Sequence, residues 1–336
     1  MTLKNDTDRV ELPGAPAIPG LRFRRFRGDA DFASLAELIT TANMADGIEE
    51  LPDEPTLRSE FEHRADFDPR MDTIFAEVED RLVGYGDVSR SVRAGTSVYS
   101  TTGIVHPDWR RRGLGRAILR HDERRLREIA AGHEDPGGRI FNAWIDDDAG
   151  GARELLASEG YHPVRYGFAM RRPNLDDLPE APLPDGIEIR PVRPEDHRAI
   201  YDADTEAFLD HWGARDRTEE DFVAMFAAPY LDTSLWRVAW EGTQVAGSVM
   251  PAVWTTENEL LGIRRAWLEH ISVRRPWRRR GLATALIVAA LEGLRERGLD
   301  EVMLGVDGEN PTGALALYES LGFVVKARGS TWRKAW

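Results

Sequence analysis

The sequence predicts an α/β (α+β) fold built twice: two tandem units, each a mixed, mostly antiparallel sheet flanked by helices. Three observations predict it. Strand-like and helix-like runs follow in the order β, α, α, β, β, β, basic turn, α, β, α and further strand, and then the order restarts. The basic turns Arg110-Arg-Arg-Gly-Leu-Gly115 and Arg278-Arg-Arg-Gly-Leu-Ala283 stand 168 residues apart, and the endings Gly160-Tyr161 and Gly322-Phe323 stand 162 apart. A period this long marks a duplicated domain rather than a solenoid. Finally, residues 173–186 are rich in proline and acid without an apolar period, the composition of a linker. The expected organisation is a tail over 1–20, a first domain over 21–172, the linker, and a second domain over 187–336.

The elements of the first half come in order. Pro19 to Arg24 reads as a short strand. From Asp31, the apolar residues Phe32, Leu35, Leu38 and Ile39 fall on one helical face. Asp53 to Arg58 can cap a second helix running through Phe61 to Ala65. Strands at Thr73–Val78 and Leu82–Val88 surround Glu79-Asp80-Arg81, a hairpin signal. A strand over Ser97–Val105 leads into the basic turn, a helix to about Ala130, a strand over Arg139–Ile145 and a short helix from Asp148 to Glu159. In the second half, Asp185 to Arg190 restarts the pattern and Ile200 to Phe208 is its first helix. Trp236–Trp240 and Val245–Met250 form a hairpin turning at Glu241-Gly242-Thr243, and Trp267–Val273 is the strand before the basic turn.

Composition narrows the function. With 336 residues, 42% of them hydrophobic and 30% charged, the chain reads as a soluble globular protein with more than one core. A net charge of −14 argues against nucleic acid as the main partner, because phosphate binding needs a cationic face. The absence of cysteine removes disulfides, thiolate nucleophiles and thiolate metal sites. The eight histidines show no metal-ligand spacing, so no metal is expected. The polar first residues lack a signal-peptide core, and the longest apolar stretch, around Ala283 to Ala290, is too short to span a bilayer. A cytoplasmic protein with no membrane partner is expected, with monomer and homodimer both open.

The chemistry lies at the basic turns. A strand, a tight turn and a helix N-terminus form an anion cradle, because the first N–H groups of a helix have no partner within it and the helix dipole adds positive character there. Gly281 lets the backbone approach an oxygen-rich ligand. Further on, Tyr318 lies one helical turn beyond Ala314, on the same face. Asn310 suits a helix N-cap, Pro311 the first helical position and Gly322 the position just past the helix end.

The pattern Arg-x-x-Gly-x-Gly/Ala between strand and helix resembles the acyl-CoA pyrophosphate loop of the Gcn5-related N-acetyltransferases (GNAT). So does the stretch Asn310-Pro-Thr-Gly-Ala-Leu-Ala-Leu-Tyr318-Glu-Ser-Leu-Gly322-Phe323, which is similar to the family's Asn-x-x-Ala-x-x-x-Tyr-x-x-x-Gly-Phe ending. The resemblance covers both halves. It implies acetyl-CoA as acyl-donor co-substrate and a small-molecule or peptide amine as acceptor. Arg278, Arg279, Arg280, Gly281, Leu282, Ala283 and Thr284 would hold the pyrophosphate, and Ile271, Ser272 and Val273 would line the pantetheine arm. Asn310 and Ala314 would complete the cofactor side, and the Tyr318 hydroxyl would meet the sulfur as catalytic acid. Glu269 would serve as base, directly or through water, with His270 beside it; adjacent strand residues face opposite ways, so only one of the two can share the substrate's face. Asp210, His211, Trp212, Trp254 and His270 would line the acceptor cleft.

The first half keeps the cradle residues Arg111, Arg112, Gly113, Leu114 and Gly115, which on the same resemblance would hold a second acyl-CoA; a purely structural role for this half stays open as well. It has Leu156 where the second half has Tyr318, and Thr101 and Thr102 where it has Glu269 and His270. Leucine donates no proton, so this half is expected to be catalytically degenerate. Two alternatives stay open: a protein that binds acyl-CoA without turnover, and an enzyme with a longer acyl donor.

Overall fold

In the computed structural model, which describes residues 8–149, 151–215, 217–310 and 313–336, the first repeat begins earlier than its apolar pattern suggests. Arg9–Val10 (β1) pairs antiparallel with Leu21–Arg24 (β2), and Leu12 is buried, so residues from Asp8 onward belong to the fold and not to a tail. A two-residue strand among prolines carries no periodicity to read. The helices Ala30–Asp46 (α1), Glu54–His63 (α2) and Pro69–Asp72 (α3) precede the meander of Thr73–Val78 (β3), Arg81–Arg93 (β4) and Thr96–Val105 (β5). Glu79 and Asp80 both take left-handed φ, 52° and 66°, which is the geometry a two-residue hairpin requires. Leu114–Ala131 (α4) then crosses over to Arg139–Asp146 (β6), parallel to β5, and Ala152–Ser158 (α5) follows.

After His162–Arg172 (β7), the second repeat runs through Glu188–Arg190 (β8), His197–Phe208 (α6), Glu219–Ala227 (α7), Arg237–Glu241 (β9) and Gln244–Ala252 (β10). It continues with Thr255–Leu261 (α8), Arg265–Val273 (β11), Leu282–Glu296 (α9), Glu301–Asp307 (β12), Ala314–Ser320 (α10) and Val324–Ala335 (β13). Helix α8 has no counterpart in the first repeat, where the tight turn Ala94-Gly95 joins β4 to β5. The core of this unit runs along the apolar face of α9, where Leu282, Leu286, Ile287, Ala290, Leu291 and Leu294 are buried against Val238, Val249, Leu268 and Leu304.

The division of the chain differs from the expected one. One compact unit comprises residues up to Val164 together with Ser330–Trp336; the other comprises Arg165–Gly329. The boundary is therefore at 164/165, not in 173–186. Within the first unit, the C-terminal residues lie beside β6: Trp332 is buried, Lys334 pairs with Glu123 at 2.6 Å, and Trp336 stacks on Phe141 at 4.5 Å. Within the second, β7 pairs with β12 from Val302↔Arg172 to Asp307↔Gly167. The 173–186 segment packs onto the second unit through buried Leu175, whose carbonyl accepts from Arg295 at 3.4 Å. Among the described residues, no helix is long and apolar enough to cross a membrane.

Candidate active site

The site begins where two strands part. Strands β11 and β12 pair in parallel only from Arg265↔Glu301 to Leu268↔Leu304; Glu269–Val273 continue without β12. On its other side β11 stays paired with β10, and the Arg274 N–H donates to Ala246 O at 3.0 Å. In an antiparallel ladder this bond alternates with every second residue. Ser272 and His270 therefore turn their backbone groups toward β10, while Ile271 and Val273 turn theirs toward the gap left by β12. A ligand in that gap meets an unpaired strand edge. The Ser272 side chain is buried on Ser248 at 3.1 Å. The register slips between Met250 and Pro251, so Glu269 is the extra residue of a bulge at the mouth of the gap.

The gap leads to the basic turn. After the single helical turn Arg275–Trp277, Arg279 takes φ 61° and Gly281 takes φ 80°. Two left-handed residues around Arg280 curl the backbone into a concavity that opens onto the N-terminus of α9. The first intrahelical bond there is Ala285 N–H to Gly281 O at 3.1 Å, so the N–H groups of Leu282, Ala283 and Thr284 precede the ladder. A Cβ on Gly281 would have nothing within 4 Å, so its approach face is open. Arg279 and Arg280 are exposed, whereas Leu282 is buried and anchors the helix.

Arg278 behaves differently from its neighbours. Its guanidinium donates to Val273 O at 2.8 Å, Asp210 Oδ2 at 2.6 Å and Ala207 O at 3.3 Å. It is a brace that ties the turn to the end of α6. Asp210, expected in the acceptor cleft, is instead the other end of this brace and also accepts from Arg275. Those two guanidinium groups hold its carboxyl well below the usual range. The pairing itself went unread because Arg278 and Asp210 are 68 residues apart and nothing local records it.

Tyr318 sits on α10, which ends as expected: Gly322 takes φ 83°, its N–H donates to Glu319 O at 3.0 Å, and the Phe323 N–H donates to Tyr318 O at 3.0 Å. Arg172 adds a buried donor to Leu321 O. The start differs. Gly313, with φ 79°, is the cap residue and Ala314 the first helical one, so Asn310 lies before the helix, its N–H on Asp307 O at 3.1 Å; Pro311 lies outside the described residues. The Tyr318 ring is buried in apolar surroundings, 6.1 Å from Phe323. Burial pushes its hydroxyl up to about 12. The phenol thus stays protonated at neutral pH and can act as a hydrogen-bond donor. Full transfer to a thiolate of about 8.5 would cost about 5 kcal/mol, so donation to the sulfur dominates over protonation.

The residues expected to meet the acceptor lie on or beside α6, α8 and the start of the gap. Glu269 is exposed and its carboxylate accepts from Trp254 Nε1 at 3.0 Å; the Trp254 ring lies 4.0 Å from Tyr230. His270 is partly buried. Its Nδ1 lies 2.7 Å from Asp204 Oδ2, which also accepts from Arg217 at 2.8 Å. Burial alone would raise the Asp204 carboxyl, but the bonds to His270 and Arg217 outweigh it and hold it below its ordinary value. His211 stacks obliquely on Phe208 at 4.4 Å, and burial lowers its basicity. Trp212 is exposed under the Arg165 guanidinium, which is held by Asp307 at the end of β12. Asp204 escaped the sequence reading. The available signal was a carboxylate among Ile200, Tyr201, Ala203 and Ala207 on the buried face of α6, a placement that demands a partner.

The first unit repeats the frame with other residues at the expected catalytic positions. Strands β5 and β6 part after Ser100↔Asn142, the same offsets of 168 and 162 that separate the motifs. Arg110 makes the same brace, to Val105 O at 3.1 Å and Asp46 at 2.6 Å, and Arg111 and Gly113 take φ 59° and 87°. Here, however, a Cβ on Gly113 would lie 3.5 Å from Pro16, and the Arg111 guanidinium lies about as close to Gly151. Arg112 lies over Trp109 at 4.9 Å, Leu114 is buried, and Gly115 faces Leu155. Thr101 donates to buried Asp122 at 2.7 Å, and Leu156 is buried in the core.

The acetyltransferase (GNAT) family matches residues 197–323, and an acetyltransferase (GNAT) domain matches residues 70–161. A mycothiol acetyltransferase of Geodermatophilus obscurus is 31% identical over 310 residues, spanning 91% of this chain and 95% of that protein. The mycothiol acetyltransferase of Salinispora tropica is 32% identical over 299 residues, 87% and 90% of the two chains. Among solved structures, a GCN5-related N-acetyltransferase from Sphaerobacter thermophilus superposes with a TM-score of 0.72 at 29% identity, over 94% of this chain and 96% of that one. A tandem GNAT protein from the clavulanic acid biosynthesis pathway gives 0.66 at 20% identity, over 93% and 98%, which is a likeness of fold alone.

Proposed function

Because the chain belongs to the acetyltransferase (GNAT) family, we propose that it is an N-acetyltransferase that takes its acetyl group from acetyl-CoA and passes it directly to a primary amine held in the same complex. The observation that carries this reading is the parting of β11 and β12 at Leu268 and Leu304, which leads straight to the open cradle over Gly281. In this reading the pantetheine arm lies along Ile271 and Val273 as an added strand, and the pyrophosphate lies on the N–H groups from Arg279 to Thr284. The Val273 N–H faces the gap and would polarise the thioester carbonyl. The amine nitrogen attacks the carbonyl carbon, the C–S bond breaks, and the Tyr318 hydroxyl donates to the departing sulfur. No cysteine is available to carry the acetyl group in a covalent relay.

The acceptor in this proposal is a small-molecule amine, the class to which the mycothiol acetyltransferase relatives point. The exposed Glu269 carboxylate beside the Trp254 and Tyr230 rings suits a cationic group. The second unit is the proposed catalytic one and the first its degenerate copy. The test is release of free thiol from acetyl-CoA across a panel of amines, including the amine that a mycothiol acetyltransferase accepts. Turnover with one of them, with kcat lowered in Tyr318→Phe, supports the reading. Acetyl-CoA binding with no turnover across the panel would favour an acyl-CoA-binding protein.

A further inference from the structure

We infer that His270, held by Asp204, is the base that takes the proton from the acceptor amine, and that Glu269 binds the acceptor rather than deprotonating it; the bulge at Glu269 breaks the strict alternation that would otherwise set these two neighbours on opposite faces. The inference rests on the acetyltransferase reading and deepens it. Asp204 is an ionised, acceptor-only carboxylate with no exposed side-chain surface, and its Oδ2 takes both the His270 and the Arg217 bonds. Nδ1 of His270 must therefore be the donor at 2.7 Å, which leaves the lone pair of the neutral ring on Nε2. A base oriented by a buried acid in this way is the arrangement that fixes one tautomer and stabilises the imidazolium once formed.

The cost of the arrangement also argues for a task. Asp204 Oδ1 is buried with no hydrogen-bond partner among the described residues, which is unfavourable for stability alone. His270 is partly exposed and stands two residues past Leu268, the last residue of β11 paired with β12, within the stretch that flanks the gap. Glu269 at the same place has no buried partner. Its carboxylate is tied to the Trp254 indole, on the segment leading into the helix that the first unit lacks. The first unit has threonines at both positions, consistent with loss of base and acceptor site together.

The protons balance. The ammonium gives one proton to His270 Nε2, which releases it to solvent. The amine then attacks, the C–N bond forms and the C–S bond breaks. The second nitrogen proton leaves through His270, and the thiolate, hydrogen-bonded by Tyr318, ends as thiol. One net proton is released per turnover.

The groups around His270 that titrate or carry charge are Asp204 and Arg217, Glu269 next to it on β11, and His211 across the Phe208 ring. The test uses the full-length chain with acetyl-CoA and a turned-over amine. His270→Gln is expected to lower kcat by about 10²–10⁴-fold and to remove the acid limb of the kcat/KM profile. Asp204→Asn should lower kcat and shift that limb, while Glu269→Gln should raise the amine KM and leave the limb in place. Independently of turnover, ¹⁵N NMR of the imidazole should show the Nδ1–H tautomer, lost in Asp204→Asn. An Nε2–H tautomer, or a limb that survives His270→Gln and vanishes in Glu269→Gln, overturns the dyad while leaving acetyl transfer standing. Failure of every amine would overturn the transfer reading itself.

Discussion

Replacing Tyr318 by phenylalanine isolates the role of one hydrogen bond. The ring is buried among apolar side chains and its hydroxyl is pushed up to about 12, so phenylalanine keeps the packing and deletes a neutral donor. A hydrogen bond to a developing thiolate is charge-assisted and contributes about 1.5–3 kcal/mol. At about 1.4 kcal/mol per decade this is a fall in kcat of about 10- to 150-fold. The bond strengthens only as the C–S bond breaks, so KM for both substrates should hold. Free-thiol release gives the rate, and thermal unfolding confirms that the fold is intact. A second arm varies the leaving group: with an aryl thioester, whose thiolate needs less help, the defect should shrink. An unchanged kcat, or a defect of equal size for both thioesters, would refute the reasoning.

Four further outcomes follow from the same geometry. Arg278→Met should unmoor the basic turn from α6 and raise the KM for acetyl-CoA about tenfold with a smaller effect on kcat, as read by initial rates; the guanidinium bonds to Val273 O and Asp210 are what it loses. Asp210 is held below its ordinary value by Arg275 and Arg278, so its contribution is present above the unfolded pKa and is lost as pH falls below about 4; Asp210→Asn should flatten that acid limb of stability. Arg172→Met removes the donor to Leu321 O and Asp177 O and should lower both Tm, by several degrees, and kcat, because the helix carrying Tyr318 loses its C-terminal tie. Calorimetry should find one acetyl-CoA per chain, since Pro16 lies against Gly113 whereas Gly281 is open; a stoichiometry of two would refute this.

Much of this protein is written locally. The two basic turns, the hairpin at Glu79-Asp80 and the helix stop at Gly322 each need a particular residue at a particular conformation, and each formed where the sequence placed it. The parting of the strands kept the same offsets as the motifs. What stayed hidden lies at long range. Asp210 looked like an acceptor residue because its partner Arg278 is 68 residues away, and the His270–Asp204 contact spans 66. Asn310 looked like a cap because Asn-Pro is a helix start elsewhere, but the left-handed Gly313 takes that position here. The exchange of 330–336 into the first unit was equally invisible, since alternating apolar residues do not name the strand they will pair with.

That exchange bears on how the protein is made. The first unit lacks Trp332, Lys334 and Trp336 until residues 330–336 are synthesised, although all its other residues end at Val164. Between them lie the 165 residues from Arg165 to Gly329. At roughly 5–20 residues per second the ribosome needs roughly 8–33 s to cross them. For that interval an open hydrophobic seam beside β6 waits on the nascent chain. The first unit therefore completes its packing only after residues 330–336 have been made, and removing them would destabilise the unit that was synthesised first.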